Sequence, residues 1–233
     1  MSVFKFKQFE VDQTGCAMRI NTDGVLLAAL VHHHHPKKIL DIGAGTGVIG
    51  LMLAQRYPEA DVCAVEIDQQ AAETAGKNFA NSAFSERLSV NHIAIEKYHH
   101  PERFDLIVSN PPFFVNDLKN EEVRKGLARH ASDDFFGLLV EKSNELLSES
   151  GSLWFILPIK QAEEVIAVAK NYQLTIRVRI NIHSDVQKAT FRQIICLSRV
   201  GDLLDESNFY IYESRGEHTL QYKKLLKDFF LAF

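Results

Sequence analysis

Three observations predict an α/β fold, a mostly parallel sheet wound with helices. Short apolar runs alternate along the chain with stretches of helical spacing, as strand–helix–strand units do. A glycine-rich turn, Gly43-Ala44-Gly45-Thr46-Gly47, directly follows one such run. Another run ends in Asn110-Pro111-Pro112-Phe113, where two prolines force the chain out of the sheet. Seven strands are expected, with an antiparallel strand at the edge. The 233 residues, 46% of them hydrophobic, suffice for one packed domain. The chain divides into an N-terminal extension over residues 1–36 and the wound domain over residues 37–233.

Taken in order, residues 1–21 alternate weakly, with Phe4, Phe6 and Phe9 interleaved with Lys5 and Lys7. They suggest a hairpin or edge segment with a basic outer face. Thr22 or Asp23 is placed to cap a short helix over residues 25–31. Residues 38–42 read as the first central strand, and residues 48–57 as the helix after the glycine turn. A second strand spans residues 61–66 and ends in an acid; a helix follows over residues 71–84. Residues 88–90 open a third strand and residues 103–109 form the fourth. A helix over 132–148, a strand over 151–157 and a helix over 158–170 come next, the last with Pro158 near its first turn. The β-rich stretches 174–182 and 190–198 suggest an antiparallel pair at the edge. The amphipathic, aromatic tail 220–233 is expected to pack back on the body.

Composition excludes some classes of function. A net charge of −4 excludes a globally basic nucleic-acid binder but not a local basic face. Three scattered cysteines, Cys16, Cys63 and Cys196, form neither a disulfide framework nor a zinc spacing. No apolar leader and no run of 18 apolar residues occurs, so a soluble, cytoplasmic, monomeric protein without a membrane role is expected. The run His32 to His35 cannot set all its rings around one ion and reads as a solvated loop, so no metal is expected.

The glycine turn admits two readings. Gly45-Thr46-Gly47-Val48-Ile49-Gly50 matches the dinucleotide fingerprint, with Glu66 near the required distance. Yet Asp41 stands ahead of the glycines, where a carboxylate opposes a pyrophosphate and suits a cationic ligand. S-adenosylmethionine meets the whole pattern: its amino group and sulfonium welcome Asp41, its methionine part can lie over Gly43, Gly45 and Gly47, and its ribose hydroxyls can donate to Glu66.

The Asn-Pro-Pro-Phe loop supplies the chemistry. Pro111 holds Asn110 extended. The Asn110 side-chain carbonyl and the Pro111 backbone carbonyl are two acceptors suited to the two protons of a planar NH2 group. Phe113 offers a flat face, and stacking of this kind is worth about 1–3 kcal/mol per base.

An acid, spaced glycines, a second acid and Asn-Pro-Pro-aromatic, in this order over residues 38–113, resemble the class I methyltransferases that modify planar nitrogens. Phe6-Lys7-Gln8-Phe9, Cys16-Ala17-Met18, Thr22-Asp23-Gly24-Val25-Leu26-Leu27, Ala128-Arg129-His130 and the aromatic C-terminal helix extend the likeness over nearly the whole chain. Together they are similar to the bacterial tRNA adenine N6-methyltransferases that act on valine tRNA beside the anticodon. The resemblance implies a Rossmann-like class I methyltransferase, S-adenosylmethionine as cofactor, and a tRNA anticodon loop as partner. It implies a catalytic role for Asn110, Pro111 and Phe113, and a place for Thr22 and Asp23 over the methionine end of the cofactor. The family often carries an acid facing the cofactor's adenine where this chain has Ala94; either Glu96 substitutes or the contact is missing.

Related Asn-Pro-Pro-aromatic enzymes methylate a glutamine amide or guanine N2. The amide enzymes usually add an N-terminal helical domain, whereas only residues 1–37 precede the first central strand here. The guanine enzymes often carry a His after the Phe, where this chain has Phe114. Residues 170–199 carry six Lys or Arg against Asp185 alone, and Arg124, Lys125 and Arg129 follow the loop. Phe114, Arg129, Arg177 and Arg192 are therefore candidates for an RNA-contacting rim. A non-catalytic binding module and an NAD-linked oxidoreductase are the readings of a different class.

Overall fold

The structure, a computed structural model, describes residues 3–112, 135–201 and 203–233. The chain starts with a hairpin, β1 (Val3–Lys5) against β2 (Glu10–Asp12). Helix α1 (Thr22–Leu30) leads into β3 (Lys38–Ile42), α2 (Val48–Arg56), β4 (Asp61–Glu66), α3 (Gln69–Ala80), β5 (Leu88–His92) and β6 (Phe104–Ser109). Then come α4 (Phe135–Leu146), β7 (Leu147–Leu157), α5 (Ile159–Ala169), β8 (Thr175–His183), β9 (Thr190–Ser198) and β10 (Asp205–Tyr210). A small hairpin, β11 (Tyr212–Ser214) with β12 (Glu217–His218), and helix α6 (Leu220–Leu226) follow.

Among the described residues the main sheet has eight strands, in the order β10-β8-β9-β7-β6-β3-β4-β5. Only β9 runs against its neighbours, and it lies between β7 and β8 rather than at the edge. The edge strand β10 pairs parallel to β8. That eighth strand is absent from the sequence reading because Asp-Glu-Ser-Asn-Phe-Tyr buries only Phe209 well, so no apolar alternation marks it. The helix expected over 71–84 starts earlier, because the Asp68 side chain accepts from Ala71 N at 2.8 Å and caps it.

Two apolar layers flank the sheet. On one side α1, α2 and α3 place Leu26, Leu27, Leu51, Met52 and Phe79 against Ile39 and Val62. On the other, α4 and α5 place Phe136, Leu139, Val165 and Ile166 against Leu40, Ile107 and Phe155. The N-terminal hairpin joins the first layer through Phe6, Phe9 and Val11, all at most 5% exposed. The tail returns to it as expected: Lys7 N donates to Phe229 O, and Phe6 bridges to Phe230. Because all main-sheet strands except β9 are parallel, Ile42, Glu66, Ser109, Leu157 and His183 end at one edge, and β9 begins there.

Candidate active site

At that edge the chain turns sharply after β3. Gly43, Gly45 and Gly47 hold φ of 81°, 54° and 80°, values that side chains with a Cβ rarely adopt. A Cβ on Gly43 or Gly45 would point into open space, whereas one on Gly47 would lie 2.7 Å from the Phe79 ring. The first two glycines thus leave room on the exposed side of the turn, and the third lets α2 pack against α3.

Two carboxylates bracket the turn. Asp41 is fully buried on the α1–α2 side of the sheet. Neither of its oxygens has a hydrogen-bond partner among the described residues. Burial pushes its pKa up to about 7; the nearby Gly50 amide lowers it, and the charge of Glu66 raises it. Glu66 closes β4 and accepts from Gly45 N at 2.8 Å with one oxygen and from Asp68 N at 3.0 Å with the other. It therefore braces the turn from the end of β4, where it is buried.

Asn110 and Pro111 follow β6 at the same edge. The β6 end is tied to β3 by Ser109 Oγ, which donates to Ile42 O at 2.8 Å. Gly24 of α1 sits beside the Asn110 amide: a Cβ on Gly24 would be 3.6 Å from Asn110 Nδ2. The sequence pattern thus brings Asp41, Gly43, Gly45, Gly47, Glu66, Asn110 and Pro111 to one edge. Phe113, Phe114 and Arg129 lie outside the described residues, as do Arg124, Lys125, Ala128, His130 and the first residues of the helix expected over 132–148.

Other expectations change. The cap of α1 is Asn21, whose side chain accepts from Gly24 N at 2.9 Å, so Thr22 and Asp23 are the first residues inside the helix. Asp23 makes an ion pair with Arg192 at 2.8 Å, linking α1 to β9. Arg177 stands near the amino end of β8, six residues before His183 and so about 20 Å from the carboxyl edge at normal strand rise. Arg179 pairs with Glu163, and Arg199 donates to Asn144 O and Ser148 O at the end of α4. The basic stretch is therefore spread along the strands, and it is Lys188 and Arg192 that lie at the site edge.

Asn78 is a supporting residue that the sequence reading missed. Its Nδ2 donates to Asp12 O and Thr46 O at 2.9 and 2.8 Å, and its Oδ1 accepts from Asp12 N at 2.9 Å. It joins the hairpin to the glycine turn. The only signal was a polar residue inside the buried stripe of α3, next to Phe79. Glu96 sits half-buried in a one-turn 3-10 helix after Ala94.

A mostly parallel wound sheet with one antiparallel strand, β9, and this glycine turn at its carboxyl edge fits the class I methyltransferase fold. The model of the methyltransferase small domain matches residues 16–177. Among solved structures, a predicted O-methyltransferase from Agrobacterium tumefaciens superimposes with a TM-score of 0.71 at 21% identity, covering 89% of this chain and 96% of its own. A methyltransferase from Pyrococcus furiosus does so with a TM-score of 0.57 at 18% identity, over 80% and 90% of the two chains. A tRNA1(Val) (adenine(37)-N6)-methyltransferase of Pedobacter heparinus is 58% identical over 100% of this chain and 99% of its own. One from Actinobacillus pleuropneumoniae serotype 5b is 37% identical over 98% and 97%. The chain belongs to the bacterial tRNA1(Val) adenine N6-methyltransferase family.

Proposed function

We propose that the chain transfers a methyl group from S-adenosylmethionine to N6 of an adenine in the anticodon loop of tRNA, the base at position 37 of tRNA1(Val) as in the relatives' names. It does so as a cytoplasmic monomer. The observation that carries the reading is the convergence at one sheet edge of the buried Asp41 carboxyl group, which has no side-chain partner among the described residues, the open Gly43 and Gly45, and Asn110.

The residues present fit the cofactor. A cationic amino group would give the buried Asp41 oxygens a charged partner that none of the described residues supplies. The space over Gly43 and Gly45 suits the methionine part, and Glu66 stands ready to accept from ribose hydroxyls. Residues 1–36 cover this side: Cys16 Sγ is 3.9 Å from Gly45 O, and α1 lies against Asn110. Thr22 and Asp23 start that helix. When bound, the cofactor supplies an electrophilic methyl carbon on a sulfonium.

The exocyclic amine of adenine is a poor nucleophile because its lone pair is delocalised into the ring. Asn110 and Pro111 accept from its two protons, which favours a pyramidal nitrogen and frees the lone pair. Net hydrogen bonds contribute about 1 kcal/mol each, so most of the rate comes from holding nitrogen and methyl carbon in line. The nitrogen would be cationic and acidic after transfer and would give its proton to solvent water, so no strong base is required. Phe113 stacks on the adenine. That base must first leave its neighbours, at lower cost in a loop than in a duplex.

Asn110→Ala should cut methyl transfer to tRNA by about a hundredfold or more while the cofactor Kd stays within about threefold. Radiolabelled transfer and calorimetry read the two quantities. An Asn110→Ala variant as active as its parent would remove the assignment.

A further inference from the structure

We propose that Phe191, with the Arg192 guanidinium beside its ring, is a stacking platform for an unpaired nucleobase neighbouring the target adenine. The proposal rests on the tRNA reading above and adds the residue that grips the RNA loop. Across the β8–β9 ladder, Ile182 faces Arg192 and His183 faces Thr190, so Phe191 is the extra residue of a β-bulge. A bulge breaks the strand's alternation and re-aims one side chain, and bulges concentrate beside active sites. Further along β9, Gln193, Ile195 and Leu197 are at most 5% exposed, whereas Phe191 is 38% exposed. The bulge thus turns an aromatic ring out to solvent.

The position is specific. Phe191 stands one residue from the start of β9, at the carboxyl edge of the sheet that carries Asn110. Its neighbour Arg192 has Cζ 5.6 Å from the ring centroid and donates from Nε to Asp23 at 2.8 Å. Asp23 precedes Gly24, which lies against Asn110. The ring is therefore tied through one ion pair to the helix beside the catalytic amide. A flat apolar face next to a guanidinium and the exposed Lys188 matches a single-stranded nucleic acid, which offers a π-face and a phosphate on every residue. A peptide partner would call for a broader apolar patch.

The test compares Phe191→Ala, Phe191→Leu and Phe191→Trp on an anticodon stem-loop substrate. Loss of one base–aromatic stack predicts a KM for RNA raised about tenfold in the Ala and Leu variants, with kcat within about twofold and the cofactor Kd unchanged. Phe191→Trp should keep the parent KM, and its added fluorescence should be quenched by RNA; the parent, with only the buried Trp154, is the blank. A KM equal to the parent's in Phe191→Ala, or no quenching in Phe191→Trp, overturns the platform. Methylation of no RNA by the parent overturns the underlying reading and the platform with it, and is told apart because it appears before any substitution is made.

Discussion

Asp41 is the most expensive residue in the site, because its carboxyl group is fully buried with no side-chain partner among the described residues and only the Gly50 amide nearby to offset desolvation. Its pKa stands at about 7 in the folded protein against an ordinary value of 3.8, and desolvation is the main cause. Between those values the unfolded chain has lost a proton that the folded chain keeps. Stability of the ligand-free protein therefore falls through this group as pH rises from about 4 to about 7, and then levels. Asp41→Asn removes the titration, so the Tm gap between parent and variant should widen in the variant's favour over that window. A cationic ligand at the site demands the ionised form. Binding of S-adenosylmethionine by the parent near pH 6 should then release a proton, and by Asp41→Asn should not. Calorimetry in buffers of different ionisation enthalpy reads this directly, and identical buffer dependence in the two proteins would contradict it.

At the scale of elements, the glycine turn and α2 separate binding from folding. Gly47 and Gly43 have nearly the same positive φ, so alanine at either costs about 1–2 kcal/mol in the left-handed region. Only at Gly47 does the new methyl also meet Phe79, at 2.7 Å. Gly47→Ala should therefore lower stability by about 2–3 kcal/mol, with a clear drop in Tm. Gly43→Ala should lower Tm less, yet weaken cofactor binding more, because its methyl enters the open side of the turn. If Tm falls equally in both, the assignment of the two sides is wrong.

The same elements explain what could be read from sequence. The glycine turn with Asp41, Glu66 and Asn110 are separated from one another by whole strands and helices, so the apolar runs and the glycine and proline signals that end them were enough to bring them to one edge. Asn21 was not readable as the α1 cap, because Asn21, Thr22 and Asp23 are all good capping residues and only the backbone chooses among them. The positions of Arg177, Arg179 and Arg199 were not readable either. Nearness in sequence groups them with Arg192, but strand direction leaves all three toward the amino end of the sheet, with Arg177 about 20 Å from the carboxyl edge. The edge strand β10 escaped because a strand exposed at a sheet's margin needs few apolar residues.

For the whole molecule, the question is whether residues 1–36 are an appendage or part of the body. Val25, Leu26, Leu27, Ala28, Ala29 and Val31 are all at most 5% exposed and share one cluster with Ile39, Leu51 and Trp154. Arg56 Nη1, from α2, donates to Ala28 O, and Asn78 bonds both the hairpin and the glycine turn. Burying a Val or Leu side chain contributes about 1.5–3 kcal/mol. Losing Val25, Leu26 and Leu27 of α1 and Val31 just after it therefore approaches the whole stability of a domain, about 5–15 kcal/mol. A chain reduced to residues 37–233 should not fold cooperatively, and should lose cofactor binding together with its near-ultraviolet circular dichroism. Removing only β1, whose three residues are exposed, should leave a cooperative transition. The contrast isolates α1 as part of the core that also presses Gly24 against Asn110, so the segment that shapes the site is one the fold cannot do without. A residue 37–233 chain that melts in a single sharp transition would instead make the N-terminal segment a separable lid.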